Sequence, residues 1–134
     1  MTQLVEYNCA ENVATITLNN GKVNAFSHEM IDQLNAALDS ALVDEAVVVI
    51  KGQPGMFSAG YDLSVMQQSM DAAMKLVEKG STLTRRMLAF EYPIIAACTG
   101  HAIAKGAFVL LASDYRIGIQ GTFKIGLNEV AIGM

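Results

Sequence analysis

The sequence predicts an α/β protein, on three observations. Ala46-Val47-Val48-Val49-Ile50 is a short, mostly β-branched run with no polar face, the pattern of a strand covered on both sides in a parallel sheet. Parallel pairing requires a crossover, and the segment opened by Ser27 supplies one, because Met30, Ile31, Leu34, Ala37, Leu38, Ala41 and Leu42 recur at helical spacing. Strand, turn and helix patterns then alternate with no linker, low-complexity segment or sequence repeat, so one domain over residues 1–134 is expected.

Leu4 to Cys9 and Val13 to Leu18 read as the first two strands, the second alternating Val13, Thr15 and Thr17 against Ala14, Ile16 and Leu18. Ala10-Glu11-Asn12 suits a hairpin loop and Asn19-Asn20-Gly21-Lys22 a turn. Ser27 caps the first helix, with Glu29 favourable in its first turn. After the buried strand, Lys51-Gly52-Gln53-Pro54-Gly55 is a loop, and Met56 to Leu63 a tight strand-to-helix turn. Leu63, Met66, Met70, Met74 and Val77 form a helical stripe, expected first as core packing. Lys79-Gly80-Ser81 is expected to break that helix, and Leu83, Met87 and Leu88 to continue a second one towards Pro93. Ile94 to Cys98 reads as another buried strand. Thr99-Gly100 turns the chain into Ile103 to Ala112, helix or strand by pattern alone, and Asp114 to Ile119 and Phe123 to Ile125 read as short strands.

Composition narrows the function. With 134 residues, 52% hydrophobic and 16% charged, the chain is long and apolar enough to bury a core. A net charge of −4, with no basic cluster beyond Arg85-Arg86, excludes a general nucleic-acid binder, because nothing is available to neutralise phosphates. Cys9 and Cys98 are too few and too far apart for a disulfide framework or a metal site. The first residues lack a basic segment followed by an apolar run, and no apolar stretch reaches the ~18 residues of a membrane span. A cytoplasmic protein with no membrane or nucleic-acid partner is expected.

Three places carry candidate chemistry. In Phe57-Ser58-Ala59-Gly60-Tyr61-Asp62-Leu63, small residues allow close approach to the main chain, so an exposed N–H suits a developing oxyanion. The turn from Gly100 to Gly106 likewise follows a buried strand and precedes a helix pattern, and two such turns at neighbouring strand ends would aim two donors at one carbonyl oxygen. Neither is a phosphate loop or a dinucleotide fingerprint. Glu129, among Gly126, Leu127, Val130, Ala131 and Ile132, reads either as a loop carboxylate facing water or as a proton-transfer group whose neutral form apolar surroundings favour. Cys98 reads as a buried structural thiol rather than the partner of His101, His28 as an exposed helix-start residue, and Asp114 as structural, paired with Arg116 or with backbone donors. The methionine stripe has a second reading as the lining of an acyl-chain pocket.

With these residues in view, the sequence resembles the crotonase, or enoyl-CoA hydratase/isomerase, superfamily. The resemblance rests on Lys22-Val23-Asn24-Ala25-Phe26, Phe57 to Leu63, Gly100-His101-Ala102-Ile103-Ala104-Lys105-Gly106-Ala107, Asp114-Tyr115-Arg116-Ile117 and Ile125-Gly126-Leu127-Asn128-Glu129, in that order. It implies a right-handed spiral of ββα units, assembled as trimers or pairs of trimers, binding an acyl-CoA thioester and needing no cofactor besides the coenzyme A of the substrate. The two amides holding the thioester carbonyl would be those of Ala59 and Lys105, with Gly106 the alternative to Lys105. Coenzyme A contacts would fall on Lys22, Val23 and Ala25, and further substrate contacts on Ser58, Gly60, Tyr61, Asp62, Gly106 and Phe108. Hydratases of the family use two glutamates; the first position is Phe108 here and the second Glu129. One carboxylate suits a proton shuttle, so the resemblance is strongest to the 3,2-trans-enoyl-CoA isomerases, with a hydratase or other crotonase-type reaction as the alternative. Lys105 stands where the family often has glycine, so its side chain is expected to turn out of the channel. Five residues follow Glu129, whereas the family continues with C-terminal helices that cover the site. The chain is therefore expected to lack that helical part, which keeps open a non-catalytic acyl-CoA-binding or assembly fragment.

Overall fold

A hairpin starts the fold: β1 (Val5–Ala10) pairs antiparallel with β2 (Val13–Leu18) across Glu11 and Asn12, both at positive φ. The computed structural model describes residues 2–133; Met1 and Met134, the ends of the expected domain, lie outside the described residues. From β2 onward the chain winds. β3 (Val47–Lys51), β5 (Ile94–Cys98) and β7 (Tyr115–Gly118) each add in parallel, giving a sheet ordered β1-β2-β3-β5-β7. Each is followed by a strand of a second parallel sheet, β4 (Gly55–Ser58), β6 (Gly100–Ile103) and β8 (Ile125–Gly126). The helices α1 (His28–Val43), α2 (Leu63–Met66), α3 (Met70–Leu88) and α4 (Lys105–Leu111) complete the turns. This is a spiral of ββα units, repeated in structure though not in sequence.

Residue pattern explains the main elements. Ala14, Ile16 and Leu18 of β2 are fully buried, as the alternation predicts. Ser27 Oγ accepts from the Met30 amide at 3.1 Å, and α1 buries Met30, Ile31, Leu34, Ala37, Leu38 and Ala41 against the sheet. Asp114 Oδ2 accepts from the Ile94 amide at 2.7 Å, and Arg116 donates to the Leu110 and Ser113 carbonyls at the end of α4, so both residues serve the backbone. Arg86 reaches Asn35 and Asp39 of α1, so it ties two helices together, while Arg85 is exposed.

Four expectations need correction. α3 runs unbroken through Gly80; the break falls earlier, at Gln67-Gln68-Ser69, where Ser69 Oγ caps α3 by accepting from the Ala72 amide. Gly80 is there for packing: the Tyr61 ring lies on it, and a Cβ would overlap the phenol oxygen. Gly100 is not a turn but the first residue of β6, because the chain passes directly from one sheet to the other. The methionine stripe is core only at its start, where Met66 packs against the core edge. Met70 and Met74 are 77% and 64% exposed, because α3 packs inward through Leu76, Gly80, Leu83 and Met87 instead. His28, expected to be exposed, is half-buried.

Two loops distant in sequence are laced together beside the sheets. Asn24 is fully buried at φ +54°, its amide donating to the Leu18 and Phe57 carbonyls, both at 3.1 Å, while its oxygen accepts from the Asn20 amide. Ser58 Oγ donates to the Asn24 carbonyl at 2.7 Å and accepts from the Gly60 amide. Phe26 N–H donates to Gly60 O and Asp62 N–H to Phe26 O. Asn24→Ala would strand the buried Phe57 carbonyl, leave the Leu18 carbonyl with Gln53 Nε2 alone, and place a Cβ-bearing residue without side-chain compensation at positive φ. A loss of ~1–3 kcal/mol is expected, measured as a lowered thermal midpoint by circular dichroism; an unchanged midpoint would refute the lacing role.

Candidate active site

The turn between β4 and α2 and the start of α4 lie against each other, and both depend on glycine. A Cβ on Gly106 would overlap the Ser58 carbonyl oxygen. Gly60 has φ +102°, and a Cβ there would lie 3.0 Å from Ala104 Cβ and 3.4 Å from Lys105 N. The Gly60–Tyr61 peptide and the Lys105 amide are therefore neighbours. Among the described residues the Tyr61 and Lys105 amides donate to no acceptor. For Lys105 the cause is position, since the first amides of a helix have no intrahelical carbonyl.

The Ala59 amide, expected to be one of the two donors, is committed: it donates to the Val23 carbonyl at 3.0 Å. The positive φ of Gly60 reorients the next peptide, which leaves Tyr61 N–H as the free donor of this turn. A glycine directly after Ala59 was the available signal. Ser58, Gly60 and Gly106, expected among the substrate contacts, are buried beneath the turn and build it. Asp62 caps α2, its Oδ1 accepting from the Ser64 amide and hydroxyl. Its backbone amide is also part of the lacing.

Two cavities meet at this turn, and a groove along α3 adjoins them. A central one of about 340 Å³ is lined by Ala59, Tyr61, Ala104, Phe108, Asn128 and Glu129, among others. It shares Ala59, Tyr61 and Leu63 with an outer groove of about 490 Å³ that contains Lys22, Val23, Ala25 and Asp62. On the other side it shares Met66 and Val77 with an apolar groove of about 680 Å³ along α3, where Met70 and Met74 lie. The expected site residues Lys22, Val23, Ala25, Tyr61, Asp62, Phe108 and Glu129 are thus brought to one continuous channel.

Glu129 is half-buried and, among the described residues, is the one carboxylate on the wall of the central cavity; Phe108 occupies another part of that wall. Asn128, which sequence reasoning did not single out, contributes a buried Oδ1 with no hydrogen-bond partner among the described residues. The Lys105 side chain turns away to α3, as expected. Its Nζ donates to the Gly80 carbonyl at 2.6 Å and to Thr84 Oγ1 at 3.2 Å. Burial lowers the Lys105 ammonium to about 8 and pushes the Tyr61 phenol up to about 12. Cys98 Sγ lies against Gly100 O, while His101 Nδ1 accepts from the Lys124 amide, so they form no thiol–imidazole pair. Among the described residues no cluster of His, Cys, Asp or Glu could hold a metal ion, and no helix is long and apolar enough to cross a membrane. Chemically, the central cavity offers one carboxylate, an apolar lining and the Tyr61 turn, with the unpaired Lys105 amide next to its wall residue Ala104: such a site can hold a polarised carbonyl and move a proton beside it.

Comparison with known proteins gives concordant results. The enoyl-CoA hydratase/isomerase family model matches residues 8–134. A probable enoyl-CoA hydratase of Bacillus subtilis (strain 168) is 33% identical over 127 residues, covering 91% of this chain and 48% of the relative. The crystal structure of an enoyl-CoA hydratase/isomerase family protein from Pseudomonas syringae superposes with a TM-score of 0.96 at 62% identity, covering 98% of this chain and 57% of that one. The apo structure of an enoyl-CoA isomerase from Mycobacterium tuberculosis superposes with a TM-score of 0.94 at 40% identity, covering 100% and 58%. The chain thus spans about half the length of these relatives.

Gly106→Ala should force the start of α4 away from the 58–61 turn. The overlap is with backbone, which cannot swing aside, so a loss of ~1–3 kcal/mol is expected. It would be read as a lower urea midpoint with an unchanged m value; a midpoint equal to the parent's would show that the contact is not constraining.

Proposed function

Because the chain belongs to the enoyl-CoA hydratase/isomerase family, within the crotonase superfamily, we propose that it supplies the carbonyl-holding and proton-transferring part of an acyl-CoA isomerase. The reaction moves the double bond of a 3-enoyl-CoA to the 2-position. In this reading the Glu129 carboxylate takes a proton from C2, and the electron pair spreads over the thioester carbonyl and the double bond. The Tyr61 and Lys105 amides hold the resulting dienolate oxygen, in place of the Ala59–Lys105 pair. The protonated Glu129 then returns the proton at C4, leaving the double bond at C2. No water is consumed and no cofactor takes part.

The observation that carries this reading is a single carboxylate in the cavity. Adding water across a double bond calls for a second group to orient the nucleophile, and the wall there carries Phe108. The outer groove suits coenzyme A, with Lys22 meeting a phosphate, and the methionine-lined groove suits the acyl tail. The same proposal takes the working form to be a cytoplasmic homotrimer or pair of trimers. Two alternatives stand beside it: hydration, which the name of the Bacillus relative favours, and an acyl-CoA-binding or assembly fragment.

The test offers the purified protein 3-enoyl-CoA and 2-enoyl-CoA. Double-bond migration is expected, falling by ~10²–10⁴-fold in Glu129→Gln. Hydration of 2-enoyl-CoA without migration would replace the proposal with hydratase, and binding with neither reaction would replace it with the fragment.

A further inference from the structure

The Lys105 side chain has no place in the reaction just described, yet it is buried immediately behind the channel. Only 3% of it is exposed, and it joins none of the ion pairs among the described residues. Its Nζ is anchored to Gly80 O and Thr84 Oγ1, and it faces the Tyr61 ring at 5.6 Å and the Phe108 ring at 6.0 Å. Both rings line the central cavity. The backbone of the same residue provides the free amide, directly after Ala104 at φ +52°. A buried cation without a carboxylate is disfavoured in the resting protein, and a nearby anion relieves that penalty.

We propose that Lys105 is a positioning residue for the carbonyl-holding turn: its ammonium, strapped to α3 at Gly80 and Thr84, fixes the Lys105 amide and presents uncompensated positive charge behind the Tyr61 and Phe108 wall to an enolate in the cavity. This rests on the acyl-CoA reading of the site, but not on which reaction follows enolisation. The strap also gives Gly80 a second role, since its uncrowded Cα admits the Tyr61 ring and its carbonyl holds the ammonium.

The charge is present at neutral pH and is lost as pH rises through about 8. Because the folded value lies below the unfolded one, the cost of burying this charge applies below pH 8 and is relieved above it. Removing the charge at pH 7 should therefore weaken enolate binding without weakening the fold. The other ionisable groups around the ammonium are Tyr61 on the turn, with its phenol pushed to about 12, and Glu129 across the cavity. On α3, Lys79 is paired with Asp32 of α1, and Glu78 lines the outer part of the apolar groove. His101 of β6 is engaged by the Lys124 amide.

Acetoacetyl-CoA is a suitable probe, because its enolate absorbs in the near ultraviolet and forms without turnover. The unsubstituted chain should bind it as the enolate, with the affinity for the enolate form, corrected for the probe's own ionisation, declining in a step as pH rises above 8. Lys105→Met should lower the affinity for the enolate by about ten- to hundredfold at pH 7, the scale of a screened Coulomb attraction between unit charges on either side of the ring wall. It should also abolish the pH 8 step and leave the thermal midpoint at pH 7 unchanged or raised. Lys105→Arg should retain enolate binding with no step near pH 8. The proposal is overturned if Lys105→Met binds the enolate as the parent does, if the step at pH 8 survives in it, or if the parent binds no acetoacetyl-CoA. Should Lys105→Met fail to fold, the presence or absence of the step in the parent decides. Lys105-dependent enolate binding without isomerisation would sink the isomerase reading alone; isomerisation unaffected by Lys105→Met would sink this one alone.

Discussion

Everything at the channel depends on one backbone-to-backbone contact, the start of α4 pressed on the turn after β4. Gly106 lies on the Ser58 carbonyl and Gly60 on Ala104, with no room for a Cβ at the first and only tight room at the second. Close approach brings two amides from strand ends some forty residues apart into adjacency. It also explains why neither amide is paired within the described residues: one begins a helix and the other follows a glycine at positive φ. Unpaired amides at a cavity are costly to the resting fold unless water or ligand satisfies them, and in the proposed reading that cost is what suits them to a polarised carbonyl.

The contact is held from both sides. Asn24, Ser58 and the Phe26 bridge lace the turn to the loop that follows β2. Lys105 straps α4 to α3, and Tyr61 fills the space over Gly80. The turn therefore has little freedom to relax when a charge develops beside it, which is what preorganised stabilisation requires. Around it the channel changes character over a short distance, from a groove with Lys22 and Asp62, through a cavity with one carboxylate, to an apolar groove of adaptable methionines. In the proposed reading, that gradient suits a ligand with a charged head, a reactive carbonyl and a greasy tail.

The exposed apolar residues follow the same logic. Met70, Met74 and Val77 of α3 and Tyr115 and Ile117 of β7 lie on faces that the described residues leave uncovered. An amphipathic stripe tells that a helix has two sides, but not which side finds the core. On α3 the inner side was chosen by Leu76, Leu83 and Met87 together with a glycine, and a glycine carries no hydrophobic signal at all.

The sequence by itself determined the α/β class, the first hairpin, the cap and buried face of α1, the parallel character of β3 and β5, and the short list of motifs. These rest on local periodicity, capping chemistry and β-branched runs, which act over a few residues. Glu129 and Phe108, singled out through the family resemblance, both lie on the wall of the central cavity. Tertiary structure alone decided which amide is free, moving the donor from Ala59 to Tyr61, because a partner carbonyl at Val23 is distant in sequence. It decided that Gly80 continues a helix and that Ser58 and Gly106 are buried in the turn they build. Hydrogen-bond commitment and steric crowding are properties of neighbours in space, and a one-dimensional pattern does not contain them.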